Sequence, residues 1–180
     1  NFWFSSYSRS VVRLGIECCL LINGWIYYYA HAMIDHKNQQ DIEKLSSRAG
    51  VFDGYVVAIG ASAGGLNALE QLFASMQIDT GAVFVVIQHL SPDHVSMMDK
   101  LLSRHTAMPV LLAENKMPIQ PNRIYLIPPG KSMKISGDCL LVKPKAKQGL
   151  SLPIDTFFMS LAAEYQEHAV AVVLSGTGEG

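Results

Sequence analysis

Three short, unbroken apolar runs constrain this chain more than any other feature: Tyr55 to Ile59 (YVVAI), Ala82 to Ile87 (AVFVVI) and Ala169 to Leu174 (AVAVVL). A strand with one face in water alternates apolar and polar side chains, whereas a strand buried on both faces does not. These runs therefore read as central strands of a parallel sheet. After Gly64-Gly65, Leu66, Leu69, Leu72, Phe73 and Met76 recur at helical spacing up to a polar break at Gln77, Asp79, Thr80 and Gly81. Ser91-Pro92-Asp93 is a helix start, with Ser91 as N-cap and Pro92 at the first helical position, and that helix should turn Val95, Met98, Leu101 and Leu102 inward. Shorter strands are expected at Val110 to Ala113, Ile124 to Ile127 and Cys139 to Val142, and a helix from about Ile154 to Tyr165. Strand and helix alternate, so the expected fold is a doubly wound, mainly parallel α/β sheet with helices on both faces, three layers in all.

In such sheets chemistry sits at the carboxyl ends of the strands. The first run leads into Gly60-Ala61-Ser62-Ala63-Gly64, a G-x-S-x-G pattern between a strand and a helix. Small neighbours let the chain turn sharply and expose a serine hydroxyl, and the following helix aims its free N–H groups at the same place. A phosphate-cradling turn would use the same glycines. The second run ends in Gln88-His89, and consecutive strands are usually neighbours, so His89 is the candidate base for a Ser62 nucleophile. The third run enters Ser175-Gly176-Thr177-Gly178-Glu179-Gly180, whose backbone N–H groups could hold a developing oxyanion. His94 and His105 read as surface residues. A metal site built from His89, Asp93 and His94 lacks recognised ligand spacing, so neither a metal nor any other cofactor is expected.

Fourteen basic and fifteen acidic residues leave a net charge of -1, which gives no electrostatic reason to expect nucleic acid or anionic lipid as a partner. Three cysteines, two of them adjacent at Cys18 and Cys19, make no disulfide framework and fit a reducing, cytoplasmic setting. Residues 1–32 differ from the rest, holding both tryptophans, four of the seven tyrosines and few charges. Leu14 to Ala30 is apolar but contains Glu17 and Asn23 and is shorter than a membrane span of about 20 residues. Residues 1–51 are therefore expected to be a disordered leader and linker, and 52–180 the domain. The chain opens on Asn1 and stops at Gly180 inside a glycine-rich turn, which reads as a fragment cut at its C-terminal end.

Five segments in order resemble one family: Ile59-Gly60-Ala61-Ser62-Ala63-Gly64-Gly65, Val86-Ile87-Gln88-His89-Leu90-Ser91-Pro92, Tyr125-Leu126-Ile127-Pro128-Pro129-Gly130, Leu152-Pro153-Ile154-Asp155 and Val173-Leu174-Ser175-Gly176-Thr177-Gly178. Together they resemble the catalytic domain of CheB-type chemotaxis protein-glutamate methylesterases. Asp79-Thr80-Gly81 and Leu102-Ser103-Arg104-His105-Thr106 are most similar to the form fused to a CheR-type methyltransferase. The resemblance implies hydrolysis of glutamate methyl esters, with deamidation of glutamine as a second activity, on the cytoplasmic helices of methyl-accepting chemoreceptors in two-component phosphorelay signalling. It implies Ser62 as nucleophile, His89 as base, and Ala63, Thr177 and Gly178 as oxyanion- and substrate-binding residues. A fused or separate methyltransferase would be a partner. In the family the glycine-rich turn carries the third triad member as G-x-G-x-D-G; here Gly180 stands in place of that aspartate, and Glu179 is one residue away. Asp155 is expected to cap its helix. Stand-alone members carry a receiver domain ahead of the catalytic one, and the residues before Phe52 are too few for it. Two other readings use the same residues: a dinucleotide-binding module on the glycine turn, and an inactive fragment that binds receptor helices. The first is disfavoured because Gly60 to Gly65 does not spell G-x-G-x-x-G and no acidic residue ends the second strand.

Overall fold

A computed structural model describes residues 13–22, 25–33, 52–61, 65–88, 98–145 and 152–174, the first two segments as backbone only. Ten strands are described: β1 (Arg13–Ile22), β2 (Trp25–Met33), β3 (Val56–Ala61), β4 (Val83–Gln88), β5 (Val110–Leu112), β6 (Met117–Pro118), β7 (Arg123–Leu126), β8 (Lys131–Ser136), β9 (Cys139–Pro144) and β10 (Ala169–Leu174). Three α-helices accompany them: α1 (Leu66–Ala74), α2 (Met98–Leu102) and α3 (Pro153–Tyr165). The main sheet has the order β1-β2-β10-β3-β4-β7-β5, with β10, β3, β4, β7 and β5 parallel and the β1–β2 hairpin antiparallel at one side. The order reverses at β3. The chain passes from β3 to β4 on one side and later adds β10 on the other, and such reversals are where open α/β sheets place their sites.

Because β3 and β4 are apolar on both faces, each face needs its own cover. On one face Ile59, Ala61, Phe84, Val86, Ile124, Leu126 and Leu174 pack against Leu69 and Phe73 of α1 and Leu102 of α2. Phe73 meets Phe84 edge-on, with ring centroids 5.8 Å apart. On the other face Val56, Ala58, Val83, Val85, Ile87 and Tyr125 pack against Phe157, Leu161 and Tyr165 of α3 and against Met133, Ile135 and Leu140. Those last three belong to a second, antiparallel sheet of order β6-β9-β8 that shares the cover with α3. The mainly parallel, helix-covered sheet expected from the sequence is what the chain forms.

Polar side chains of α3 fasten it to the β8–β9 turn. Ile135 N donates to Ser160 Oγ at 3.1 Å and Gly137 N to Glu164 Oε2 at 3.0 Å. Tyr165 Oη donates to Asp138 Oδ1 at 2.7 Å, and both Asp138 oxygens accept from Phe52 N at 2.9 Å. Asp138 thus joins the chain segment entering β3, the β8–β9 turn and the last turn of α3.

Two differences from the sequence-based expectations stand out. Residues 13–22 and 25–33, expected within a disordered leader, form a hairpin whose second strand pairs with β10, Val170 opposite His31 through Leu174 opposite Tyr27. The physical reason is β propensity: Leu20-Leu21-Ile22 and Trp25-Ile26-Tyr27-Tyr28-Tyr29 flank Asn23-Gly24, the dipeptide most favoured in two-residue hairpin connections. The remainder of 1–51 lies outside the described residues. The second difference is β8, which the sequence does not announce: only Met133 and Ile135 point inward, among lysines and serines. The expected helix start at Ser91-Pro92 and Val95 lie outside the described residues, but Met98 and Leu102 of that helix are buried as anticipated. No described helix is long and apolar enough to cross a membrane.

Candidate active site

Three parallel strands end level with one another. Leu174 of β10 is opposite Ala61 of β3, and Ala61 is opposite Gln88 of β4. Neighbouring strands are about 4.8 Å apart, so these three strand ends form one short row at the carboxyl edge. The next residue along each strand is Ser175, Ser62 and His89, respectively. Ser62, Ala63, His89, Thr177 and Gly178 themselves lie outside the described residues, as do Asp93, His94, Glu179 and Gly180. What the fold brings together is the set of strand ends from which the expected nucleophile, base and glycine loop depart.

The glycines around this row have identifiable packing reasons. A Cβ on Gly60 would lie 2.7 Å from Ile154 Cγ2, so the first turn of α3 can rest on β3 only if residue 60 has no side chain. A Cβ on Gly65 would lie 3.0 Å from Ala61 Cβ and 3.4 Å from the Leu174 carbonyl oxygen, so the start of α1 presses on the ends of β3 and β10. Gly60 opens the G-x-S-x-G segment and Gly65 follows it, and the two let α3 and α1 approach one strand end from opposite faces. The Leu152-Pro153-Ile154-Asp155 motif is explained by the same contact, because it supplies Ile154.

Both helices begin without a side-chain cap: Gly65 is the N-cap of α1 and Leu152 that of α3, and neither makes a side-chain capping bond. The cap expected of Asp155 is not formed; the residue sits in the first turn of α3, where its charge complements the helix dipole without bonding an end N–H group. The positive ends of α1 and α3 both lie at the strand edge that carries the row, which favours developing negative charge there.

Gln88, not singled out from the sequence, is the one buried polar side chain among the described residues, at 6% exposure. The signal that could have found it is a carboxamide closing a strand otherwise made of buried apolar residues. His105 lies on the surface as expected, its Nε2 3.8 Å from Glu70 Oε1 of α1. Among the described residues no cluster of three His, Cys, Asp or Glu side chains could hold a metal ion. Among the described residues one side chain has a shifted pKa: burial pushes the Tyr125 hydroxyl above its usual value, while Gln120 N, donating to it at 2.9 Å, and Arg123 partly offset that.

The family model described as CheB methylesterase matches residues 57–180. A protein-glutamate methylesterase/protein-glutamine glutaminase of Treponema denticola is 33% identical over 129 residues, covering 69% of this chain and 35% of that protein. An equivalently named protein of Syntrophus aciditrophicus is 31% identical over 143 residues, covering 78% and 39%. An uncharacterized 104.1 kDa protein of Rhodobacter capsulatus is 51% identical over 81 residues, covering 45% of this chain and 8% of its own length. The chain thus spans little more than a third of the named methylesterases it matches. The crystal structure of the Thermotoga maritima CheB methylesterase catalytic domain superposes with a TM-score of 0.60 at 24% identity, covering 70% of this chain and 69% of that one. With the family model covering well over half of its length and the same sheet found in a solved relative, this chain belongs to the CheB methylesterase family.

Proposed function

We propose that this chain carries a protein-glutamate methylesterase activity in which Ser62 is the nucleophile and His89 the base. The observation that supports this most is the level register of Leu174, Ala61 and Gln88, which starts the segments bearing the glycine loop, Ser62 and His89 from neighbouring strand ends. Ser62 Oγ attacks the ester carbonyl carbon as His89 takes the hydroxyl proton. His89 returns that proton to the departing methoxide, releasing methanol and leaving an acyl-enzyme. Water then attacks the acyl carbon, giving its proton to His89, and the collapse of the tetrahedral species restores the Ser62 hydroxyl and frees the glutamate carboxylate. Backbone N–H groups of Ala63, Thr177 and Gly178 stabilise the oxyanion in both halves, aided by the uncapped helix starts. Glutamine is a chemically reasonable second substrate, with ammonia leaving in place of methanol.

The substrate is the methylated cytoplasmic helix of a chemoreceptor, placing the protein in the cytoplasm and in two-component signalling. A methyltransferase, fused or separate, supplies the ester that this reaction removes. No cofactor takes part. The test is methanol release from a methylated receptor cytoplasmic fragment. The wild-type chain is expected to release methanol, and Ser62→Ala to lower the rate by about 10³-fold or more. A Ser62→Ala variant that hydrolyses the ester at the wild-type rate removes the mechanism.

A further inference from the structure

Charge is not spread evenly along the chain. Residues 116–145 hold six of its fourteen basic side chains (Lys116, Arg123, Lys131, Lys134, Lys143 and Lys145) against one acidic one, Asp138. The Asp138 carboxylate is already engaged by Phe52 N and Tyr165 Oη. Three of these lysines share a face of the β8–β9 ribbon. Met133, Ile135 and Leu140 are buried on one side of it, so strand alternation turns Lys134, Leu141 and Lys143 to the outward side. Lys134 is opposite Leu141, and Lys143 is opposite Ser132. Lys145, two residues beyond Lys143, continues the same face, its N–H donating to the Gly130 carbonyl at 3.0 Å. Lys134 and Lys143 are exposed, and Leu141 and Lys145 half-buried. Among the described residues the ion pairs are His105–Glu70 and His168–Asp53, so none of the three lysines is neutralised there.

The ribbon also leads to the candidate site. Its turn is held at the amino end of the main sheet, where Asp138 accepts from Phe52 N just ahead of β3. Its open end is at the carboxyl edge: Ile127 N donates to the Val86 carbonyl, extending β7 alongside β4, and Pro128-Pro129-Gly130 passes directly to Lys131, opposite Pro144. Lys143 and Lys145 thus belong to the end of the ribbon nearest the row of Leu174, Ala61 and Gln88. A substrate whose glutamate esters are cut at that edge exposes a carboxylate at every glutamate already hydrolysed or never methylated. Glutamates four residues apart on one helix face are separated by about 6 Å along the axis. Lys143 and Lys145, two residues apart on a strand, are separated by about 6.8 Å. The outward face carries no aromatic side chain on which a base could stack. It has no large exposed apolar side chain to enter a bilayer either. An acidic polypeptide therefore fits it better than nucleic acid or lipid.

We propose that Lys134, Lys143 and Lys145 form a docking surface for a helix of the methylated substrate, holding glutamate carboxylates that flank the ester being cut. The proposal rests on the methylesterase reading given above, and it assigns these lysines no part in the chemical step. Docking contacts of this kind are present equally in the ground and transition states, so their loss appears in KM and not in kcat. Exposed charge pairs contribute little singly, and removing two should raise KM about 3–10-fold. Added salt should raise the wild-type KM for the same reason.

The experiment compares Lys143→Gln/Lys145→Gln with Lys100→Gln/Arg104→Gln in the full chain. The second pair removes the same charge from α2 and the residues after it, on the opposite side of the main sheet. Methanol release from the methylated receptor cytoplasmic fragment gives kcat and KM at low and high salt. The ribbon variant is expected to raise KM about 3–10-fold at low salt, with kcat within about twofold and a weaker response to salt, whereas the α2 variant should leave KM within about twofold. Docking without turnover is read by the anisotropy of a labelled helical peptide with glutamate at every fourth position, titrated with Ser62→Ala protein. Its Kd should weaken by the same factor when Lys143→Gln/Lys145→Gln is added, and a glutamine version of the peptide should bind more weakly still. An unchanged KM in the ribbon variant, an equal rise in the α2 variant, or tighter binding of a single-stranded oligonucleotide or of phosphatidylserine vesicles than of the glutamate peptide overturns the proposal. If the fragment is hydrolysed and KM does not move, only this surface fails; if wild type releases no methanol, the methylesterase reading fails and takes the surface with it.

Discussion

Replacing Gly60 by alanine puts a Cβ 2.7 Å from Ile154 Cγ2, with Cδ1 at 3.2 Å and Cγ1 at 3.4 Å. The nearest atom sits on the branched β-carbon of isoleucine, so it cannot swing away as the tip of a long side chain would; χ1 of a β-branched residue is stiff. The clash must be relieved by moving the first turn of α3 or by bending β3. Overpacking of this kind costs about 1–3 kcal/mol. Alanine's lower entropy in the unfolded chain returns about 0.4–1 kcal/mol. The net expectation is a loss of about 1–2 kcal/mol, read as a lower urea midpoint at constant slope. In an Ile154→Ala background all three close atoms are gone, and Gly60→Ala should become neutral or stabilising by up to about 1 kcal/mol. A double-mutant cycle on urea unfolding should therefore show a coupling of about 1–3 kcal/mol between positions 60 and 154. An equal cost of Gly60→Ala in both backgrounds, or no cost in the wild type, would refute the claim that Ile154 is why residue 60 is glycine.

Three further outcomes follow from the same geometry. Asp138→Ala leaves Phe52 N and Tyr165 Oη without their shared acceptor and should cost about 1.5–3 kcal/mol; hydrogen exchange at Phe52 should accelerate, and an unchanged rate there would count against the anchor. Gly65→Ala places a Cβ against Ala61 Cβ and the Leu174 carbonyl oxygen, neither of which can rotate away, so it should lower Tm by about 2–4 °C for each kcal/mol of strain. Burial holds Tyr125 in its neutral form in the folded protein. Its stabilising contribution is therefore complete below the unfolded value of about 10 and is lost as pH rises toward the higher folded value. The urea midpoint should fall above pH 10, and more steeply in the wild type than in Tyr125→Phe; parallel curves would assign the loss to other groups.

The parts of this fold that are legible in the sequence are those in which local pattern and tertiary setting agree. Val83 to Gln88 is a strand both by composition and by burial, and the helical spacing of Leu69 and Phe73 by itself marks the inner side of α1. The G-x-S-x-G turn and the Gln88-His89 strand end point to one edge, and the register of β10, β3 and β4 aligns the three strand ends there. The β1–β2 hairpin is harder to read, because a segment poor in charge and rich in tyrosine resembles a leader unless Asn23-Gly24 is weighed as a connection. Strand β8 is set by its packing under α3, with Met133 and Ile135 inward and Ile135 N bonded to Ser160, and four polar neighbours hide that pattern. Gln88 escapes notice for another reason. A buried glutamine and a surface one look alike in a sequence, and only the burial of the surrounding strand tells them apart.

The central claim is that Ser62 is a nucleophile activated by His89, and reaction with a fluorophosphonate, read by intact mass and peptide mapping, tests it most directly. The account predicts a single adduct on Ser62 that is absent in Ser62→Ala and forms about 100-fold or more slowly in His89→Gln, the loss expected on removing a general base. An adduct on another residue, or labelling of Ser62 at the wild-type rate in His89→Gln, would contradict it.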